Sequence, residues 1–395
     1  GVPKIIIADT VKGKGVAFME HTAIDSDVEL YKFHSGAPTE DAYMVAVQEL
    51  IASANHKLTS VGLDQLVLES VTRPTTESSG VREKLVAAYS DALIKQTRSN
   101  SSIVALDADL ILDTGLIPFQ TEFPERFVEC GIAEQDMVSQ AGGIAIQGLL
   151  PIVHSFACFL SARPSEQIYN NATEATKIIY VGSLAGLVPG GPGHSHQAVR
   201  DISSMSSIPN LILMEPSCES EVKQLLDWAV DVNEQSSYLR LVSVPCEVPY
   251  TLPSTYSPVV GQGVSIASGS DAVIFAYGPI MLTLAFEAAN TVRDTDGVAV
   301  KVVNLPWLNI IDPDWLLEEI SDGGAVFSLD NHFHIGGQGD RIADIMAENP
   351  HSKSKLVRIS LEEIPSCGTN EEILVRHGFN IDALVKRIKE GLVKK

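Results

Sequence analysis

The sequence holds 395 residues, 45% hydrophobic and 20% charged, which excludes both a single small core and a disordered chain and suits two or three α/β domains. Its 50 acidic and 28 basic residues give a formal charge of -22, which argues against nucleic acid or an anionic membrane as partner, because phosphate binding needs clustered Lys and Arg. No apolar run has the length of a membrane span and the first residues lack signal-peptide organisation; Cys130, Cys158, Cys218, Cys246 and Cys367 show no zinc-like spacing, so reduced, buried thiols in a cytoplasmic protein are expected.

In chain order, residues 4–8 (Lys-Ile-Ile-Ile-Ala) read as a short buried parallel strand that needs a sheet to receive it. Gly13, Lys14 and Gly15 make a flexible basic loop. A helix is predicted over 40–54 and a polar linker over 70–80. The next segment alternates: a helix over 81–96, a strand at 103–106, a small-residue helix over 137–147, then strands at 150–153, 178–181 and 211–214. A second linker at 245–258 carries Pro245, Pro249, Pro253 and Pro258. The last segment repeats the scheme, with strands at 272–276, 300–303 and 325–329, helices between them, and a final helix over 381–392. Short apolar strands alternating with helices predict an α/β fold of parallel sheets covered by helices on both faces.

The chemistry is written most plainly in residues 127–136, Phe-Val-Glu-Cys-Gly-Ile-Ala-Glu-Gln-Asp. A Gly-Ile-Ala turn delivers Glu134 where a strand or loop feeds an apolar helix, a place that partly desolvates a carboxylate. Taken alone, a glutamate there is also what any helix start favours.

The whole Gly-Ile-Ala-Glu-Gln string resembles the thiamine-diphosphate site of the transketolase family, including deoxyxylulose-phosphate synthases and split transketolases. Other segments resemble the family in the same order. They are Ala105 to Leu110, Pro124 to Phe127, and Ser155-Phe156-Ala157-Cys158-Phe159 with Arg163 and Gln167. Gly193-His194-Ser195-His196-Gln197 and Glu215-Pro216-Ser217 follow, then Asp330-Asn331-His332 and the glycine-rich run Gly336 to Gly339. The resemblance implies a thiamine-diphosphate-binding fold followed by a transketolase C-terminal α/β domain. It divides the chain into 1–75, the tail of a diphosphate-binding domain with a linker; 76–245, the pyrimidine-binding domain; and 259–395, the C-terminal domain.

The same resemblance implies the roles. Glu134 would hydrogen-bond the cofactor's pyrimidine N1′ and promote loss of the C2 proton. Phe156 and Phe159 would stack on the pyrimidine, with Asp109, Ile132 and Arg163 also at the cofactor. His196 and, on a shorter match, His34 would face the oxygens of donor and acceptor as catalytic residues. His194 has no family counterpart. No metal ligand is expected in this chain: the family's Gly-Asp-Gly and Asn motif for diphosphate and Mg²⁺ is absent, so a partner polypeptide or a removed piece would supply it. A heterotetramer or a larger dimer-based assembly follows. The substrate end also departs from the family. Pro192 stands where an acid reads a substrate hydroxyl, and Leu184, Ser243 and Asp113 stand at phosphate-contacting positions, which is the wrong chemistry for that anion unless Arg82, Arg163 or Arg200 restores it. The expected activity is transfer of a two-carbon ketol or acyl unit from a ketose to an acceptor, a carrier-protein arm included. The rivals are a 2-oxo-acid dehydrogenase E1-like subunit and a non-catalytic assembly partner.

Overall fold

The computed structural model describes residues 5, 10–20, 33, 38–69, 82–320, 324–349 and 354–393. They fall into two units, Gly1–Ser79 and Gly80–Lys395. In the first, α1 (Glu40–Ser60) outruns the helix predicted from the sequence by six residues. Thr39 caps it, its hydroxyl accepting from the Ala42 N–H at 3.3 Å, with Glu40 and Asp41 in the first turn where the helix dipole favours acids. His34, the linker at 70–80 and, apart from Ile5, the strand predicted at 4–8 lie outside the described residues.

In the second unit the elements run β1 (Arg82–Glu83), α2 (Leu85–Ser99), β2 (Ile103–Asp107), α3 (Ile117–Glu122), β3 (Phe127–Glu129), α4 (Glu134–Ile146) and β4 (Leu150–Phe156). There follow α5 (Ala157–Leu160), α6 (Ser165–Thr173), β5 (Ile179–Ser183), α7 (Asp201–Met205), β6 (Leu211–Met214), α8 (Glu219–Asp231) and β7 (Ser236–Arg240). Strands β2 to β7 form one all-parallel sheet in the order β3-β2-β4-β5-β7-β6. Every residue of β4 is buried, as a central strand covered on both faces requires. Helix α2 starts four residues later than the sequence pattern suggests. The reason is local: Arg82 and Glu83 stay extended to pair with β8 (Cys246–Glu247), inside what reads as a linker.

A second sheet follows. Its elements are β9 (Val264–Ala267), β10 (Ala272–Ala276), α9 (Pro279–Asp296), β11 (Val300–Asn304), α10 (Pro313–Glu319), β12 (Ala325–Phe333), α11 (Gln338–Glu348), β13 (Lys355–Leu361), α12 (Asn370–Arg376) and α13 (Ile381–Val393). The order is β13-β12-β10-β11-β9, parallel except for β9. The core runs through from one sheet to the other: Trp307 packs edge-on against Trp228 at 4.8 Å, and the Glu215 N–H donates to Pro306 O at 2.9 Å. The two sheets thus share apolar contacts as well as backbone bonds.

Candidate functional site

The run after β3 turns through Gly131, whose φ of 66° lies in the left-handed region that glycine enters freely, and α4 then begins at Glu134. Glu134 is 3% exposed, and an Arg163 N–H donates to its Oε1. The Arg163 guanidinium also lies over the Phe159 ring, 3.7 Å from its centre. A buried carboxylate is thereby neutralised by a cation that itself stacks on an aromatic ring. Among the described residues nothing bonds Oε2 of Glu134.

Phe159 and Phe156 stand 5.6 Å apart, and His196 meets both, edge-on to Phe159 at 5.1 Å and tilted to Phe156 at 5.8 Å. Ser195 Oγ and His196 Nδ1 are 2.9 Å apart. The structure therefore brings together Glu134, Arg163, Phe159, Phe156 and His196, which are spread over more than sixty positions of sequence. Asp109 and Ile132 lie on the loops after β2 and β3. One carboxylate oxygen of Glu129 joins those loops, accepting from the N–H groups of Asp109 and Gly131, each at 2.8 Å. Asp109 has φ 62°, a strained setting for a non-glycine residue. The Ile132 side chain is exposed.

Sequence reasoning missed three features here. Glu129 is one: its bond to Gly131 is local, but its bond to Asp109 needs the loop after β2 to meet it. Asp107 is another: buried at the end of β2, it accepts from Leu110 N at 2.6 Å and Thr114 Oγ1 at 2.7 Å, and burial pushes its carboxyl up to about 7, with Glu129 and Asp109 adding to the rise. The third is Lys84, which with Ser90, Leu112, Gly115 and Ser243 lines a cavity of about 430 Å³ at the end of the first sheet. Ser243 Oγ accepts from the Leu184 N–H at 2.9 Å, and Leu184 sits at φ 54°. Of the cations weighed as replacements, Arg82 lies 3.8 Å from Glu247 and Arg163 is engaged with Glu134. All five cysteines are free; Cys218 is buried, but Cys130, Cys158 and Cys246 are only half-buried and Cys367 is exposed, so burial of all the thiols is not what the fold delivers.

The donor set fits the aminopyrimidine end of thiamine diphosphate, since a buried carboxylate beside flat apolar rings suits a flat base with polar edges. Among the described residues no three His, Cys, Asp or Glu side chains group to hold a metal ion, and no helix is long and apolar enough to cross a membrane.

A parallel sheet presenting a helix-start carboxylate near an aromatic and histidine cluster, followed by a second mixed sheet, defines the class as a two-sheet α/β protein. Residues 84–242 match the family model for the transketolase pyrimidine binding domain and residues 261–384 that for the transketolase C-terminal domain. The chain is 30% identical over 318 residues to a Methanocaldococcus jannaschii protein named as a transketolase C-terminal section, covering 80% of this chain and 98% of that protein. It is 28% identical to a 1-deoxy-D-xylulose-5-phosphate synthase of Natranaerobius thermophilus, over 77% of this chain but 48% of that protein; it spans about half the length of such relatives. Among solved structures, a split-gene transketolase in an inactive β4 tetramer superposes with TM-score 0.69 at 27% identity, covering 79% of this chain and 99% of that one. The transketolase of Campylobacter jejuni shares the fold, at TM-score 0.67 and 16% identity over 90% of this chain and 56% of that one. The chain belongs to the transketolase family of thiamine-diphosphate-dependent proteins.

Proposed function

We propose that this chain is the pyrimidine-binding part of a split or cleaved transketolase-like enzyme that moves a two-carbon ketol or acyl unit from a ketose donor to an acceptor. The observation that carries the reading is Glu134: a buried carboxylate at a helix start, beside Phe159, Phe156 and His196. Thiamine diphosphate supplies an acidic carbon that becomes a nucleophile when bound. Glu134 would hydrogen-bond the pyrimidine N1′ and hold a proton there, Phe156 and Phe159 would hold the ring flat, and Arg163, Asp109 and Ile132 would line the same end. His196, with His34, would hold or pass a proton at a substrate oxygen. Diphosphate and Mg²⁺ would be held by the partner polypeptide. Two relatives support a partner: the M. jannaschii section, matched almost end to end, and the split-gene transketolase, whose β4 assembly is described as inactive.

The residues at the family's phosphate-contacting positions, Leu184, Ser243 and Asp113, support a substrate without the usual phosphate, because Ser243 is already bonded to backbone and Leu184 brings no donor side chain. In the reconstituted complex, Glu134→Gln removes a proton-holding group while keeping volume, so hydrogen–deuterium exchange at the cofactor's C2 should slow by about two to four powers of ten with circular dichroism unchanged. Exchange at the wild-type rate would remove Glu134 from its role. Kinetics on phosphorylated and free ketoses in the same complex read the altered pocket, and equal or better efficiency on the phosphates would discard it.

A further inference from the structure

The loop that carries His196 leaves β5 in the first sheet but is fastened by the second. Gly190 is the anchor: its N–H donates to Asn370 Oδ1 at 3.0 Å and its carbonyl accepts from the Gly368 N–H at 3.5 Å. Cys367 Sγ donates to the carbonyl of Gly191 at 3.2 Å. Gly190 is buried with no room for a side chain, since a Cβ there would collide with Ile373 of α12. From Gly190 the bonds run on to the histidine: Gly193 N–H donates to Gly190 O at 3.1 Å, and His196 N–H donates to Gly193 O at 3.0 Å.

The far side of His196 is held in the same way. Gln197 is 4% exposed, and its amide donates to Leu187 O at 2.8 Å and to Ser366 O at 3.2 Å, bridging the loop to the C-terminal domain. Arg240 donates to Ala198 O at 2.9 Å. The segment 366–370 is itself rigidly mounted. Ser366 N–H donates to His377 Nε2 at 3.1 Å, and Thr369 and Glu372 close a capping box at the start of α12.

We infer that the 366–370 segment of the C-terminal domain is a clasp that positions His196, with Gln197 and Asn370 as its positioning residues. The inference rests on the reading of His196 as a substrate-facing group. The bonds of Gln197 and Asn370 run to backbone groups, and through them both fix where the imidazole stands against Phe156 and Phe159. A histidine that must meet an oxygen within hydrogen-bond reach tolerates little displacement, and misplacement by about 1 Å costs on the order of a hundredfold. The C-terminal domain would thereby act on the chemistry without contributing a catalytic side chain.

The test uses the full chain with ring-labelled histidine, the His196 signal being assigned by its loss in His196→Gln. In Gln197→Glu, which removes the amide donor, and in Asn370→Ala, which removes the acceptor, that signal should shift or broaden while the signal of buried His154 stays in place. In the complex with the diphosphate-domain polypeptide, kcat should fall about tenfold to a hundredfold with KM nearly unchanged. Asn370→Asp keeps the acceptor oxygen and should restore both readouts. An unmoved His196 signal in Gln197→Glu and Asn370→Ala, or Asn370→Asp as impaired as Asn370→Ala, overturns the clasp. Wild-type turnover in His196→Gln would instead overturn the catalytic reading of the histidine, leaving the spectra to decide the clasp.

Discussion

Glu215 shows at the scale of one residue what the join between the sheets demands. It is fully buried, and its carboxylate accepts from Arg240, which also holds Asp201 at 2.7 Å; Asp330 lies on β12. Burial pushes its carboxyl up to about 7 from an ordinary 4.5, against the pull of Arg240 and with Asp201 and Asp330 pushing the same way as burial. Because the folded pKa is raised, the folded chain binds more protons than the unfolded one between about 4.5 and 7. Stability from Glu215 is therefore fully present below that window and is lost as pH rises through it. His154, buried in β4 and pushed down from 6.5 to about 4 by burial, has the opposite slope over the overlapping range between those values, where the unfolded chain takes the proton. The clean readout is thus a difference. Glu215→Gln keeps the hydrogen-bonding shape without a titrating group, so its melting temperature minus that of wild type should rise by roughly 3–6 °C from pH 5 to pH 8. Scanning calorimetry of both proteins across that range checks it, and a pH-independent difference would remove Glu215 as the titrating group.

The strands most plainly legible in the sequence are those formed by continuous apolar runs. Leu211 to Met214 and Ala272 to Ala276 are continuous apolar runs, and β6 and β10 fall on them residue for residue. Strand β7 was not legible, because Ser236, Ser237 and Arg240 are polar by type yet buried in the fold. A pattern of residue types cannot reveal that Arg240 will find Asp201 and Glu215, which come from α7 and the end of β6. The candidate site divides in the same way. Glu134, Phe159 and His196 stand out as local motifs, whereas Glu129, Lys84 and the partners of Gln197 depend on loops from distant elements meeting. The cost of β7's polarity can be measured. Arg240→Met leaves two buried carboxylates without a cation and should destabilise the fold by about 3–5 kcal/mol. Adding Asp201→Asn and Glu215→Gln removes the stranded charges, so the triple variant should recover most of the lost melting temperature. A triple variant no better than Arg240→Met would show that shape, rather than charge pairing, holds β7 in place.

At the scale of the whole molecule, the residues proposed for the pyrimidine end of the cofactor converge, whereas the family's diphosphate motif is absent from the sequence. Glu134, Phe156, Phe159 and Arg163 converge on features suited to a pyrimidine, whereas the 395 residues contain no Gly-Asp-Gly with its following Asn. Those features supply stacking and one carboxylate. They supply no counter-charge for a diphosphate: the chain is acidic overall, and Arg163 is already paired with Glu134. Charge-assisted bonds to the diphosphate are each worth about 1.5–3 kcal/mol. Losing three of them together with the metal takes a micromolar site to the millimolar range or weaker, at about 1.4 kcal/mol per tenfold. Titration calorimetry of the isolated chain with thiamine diphosphate and Mg²⁺ should therefore show little heat of binding. Adding the polypeptide that carries the diphosphate motif should bring saturable, Mg²⁺-dependent binding, and Glu134→Gln should weaken it while leaving the two polypeptides associated. Micromolar, Mg²⁺-dependent binding by the isolated chain would mean that its own residues complete the site, and the two-polypeptide reading would fall.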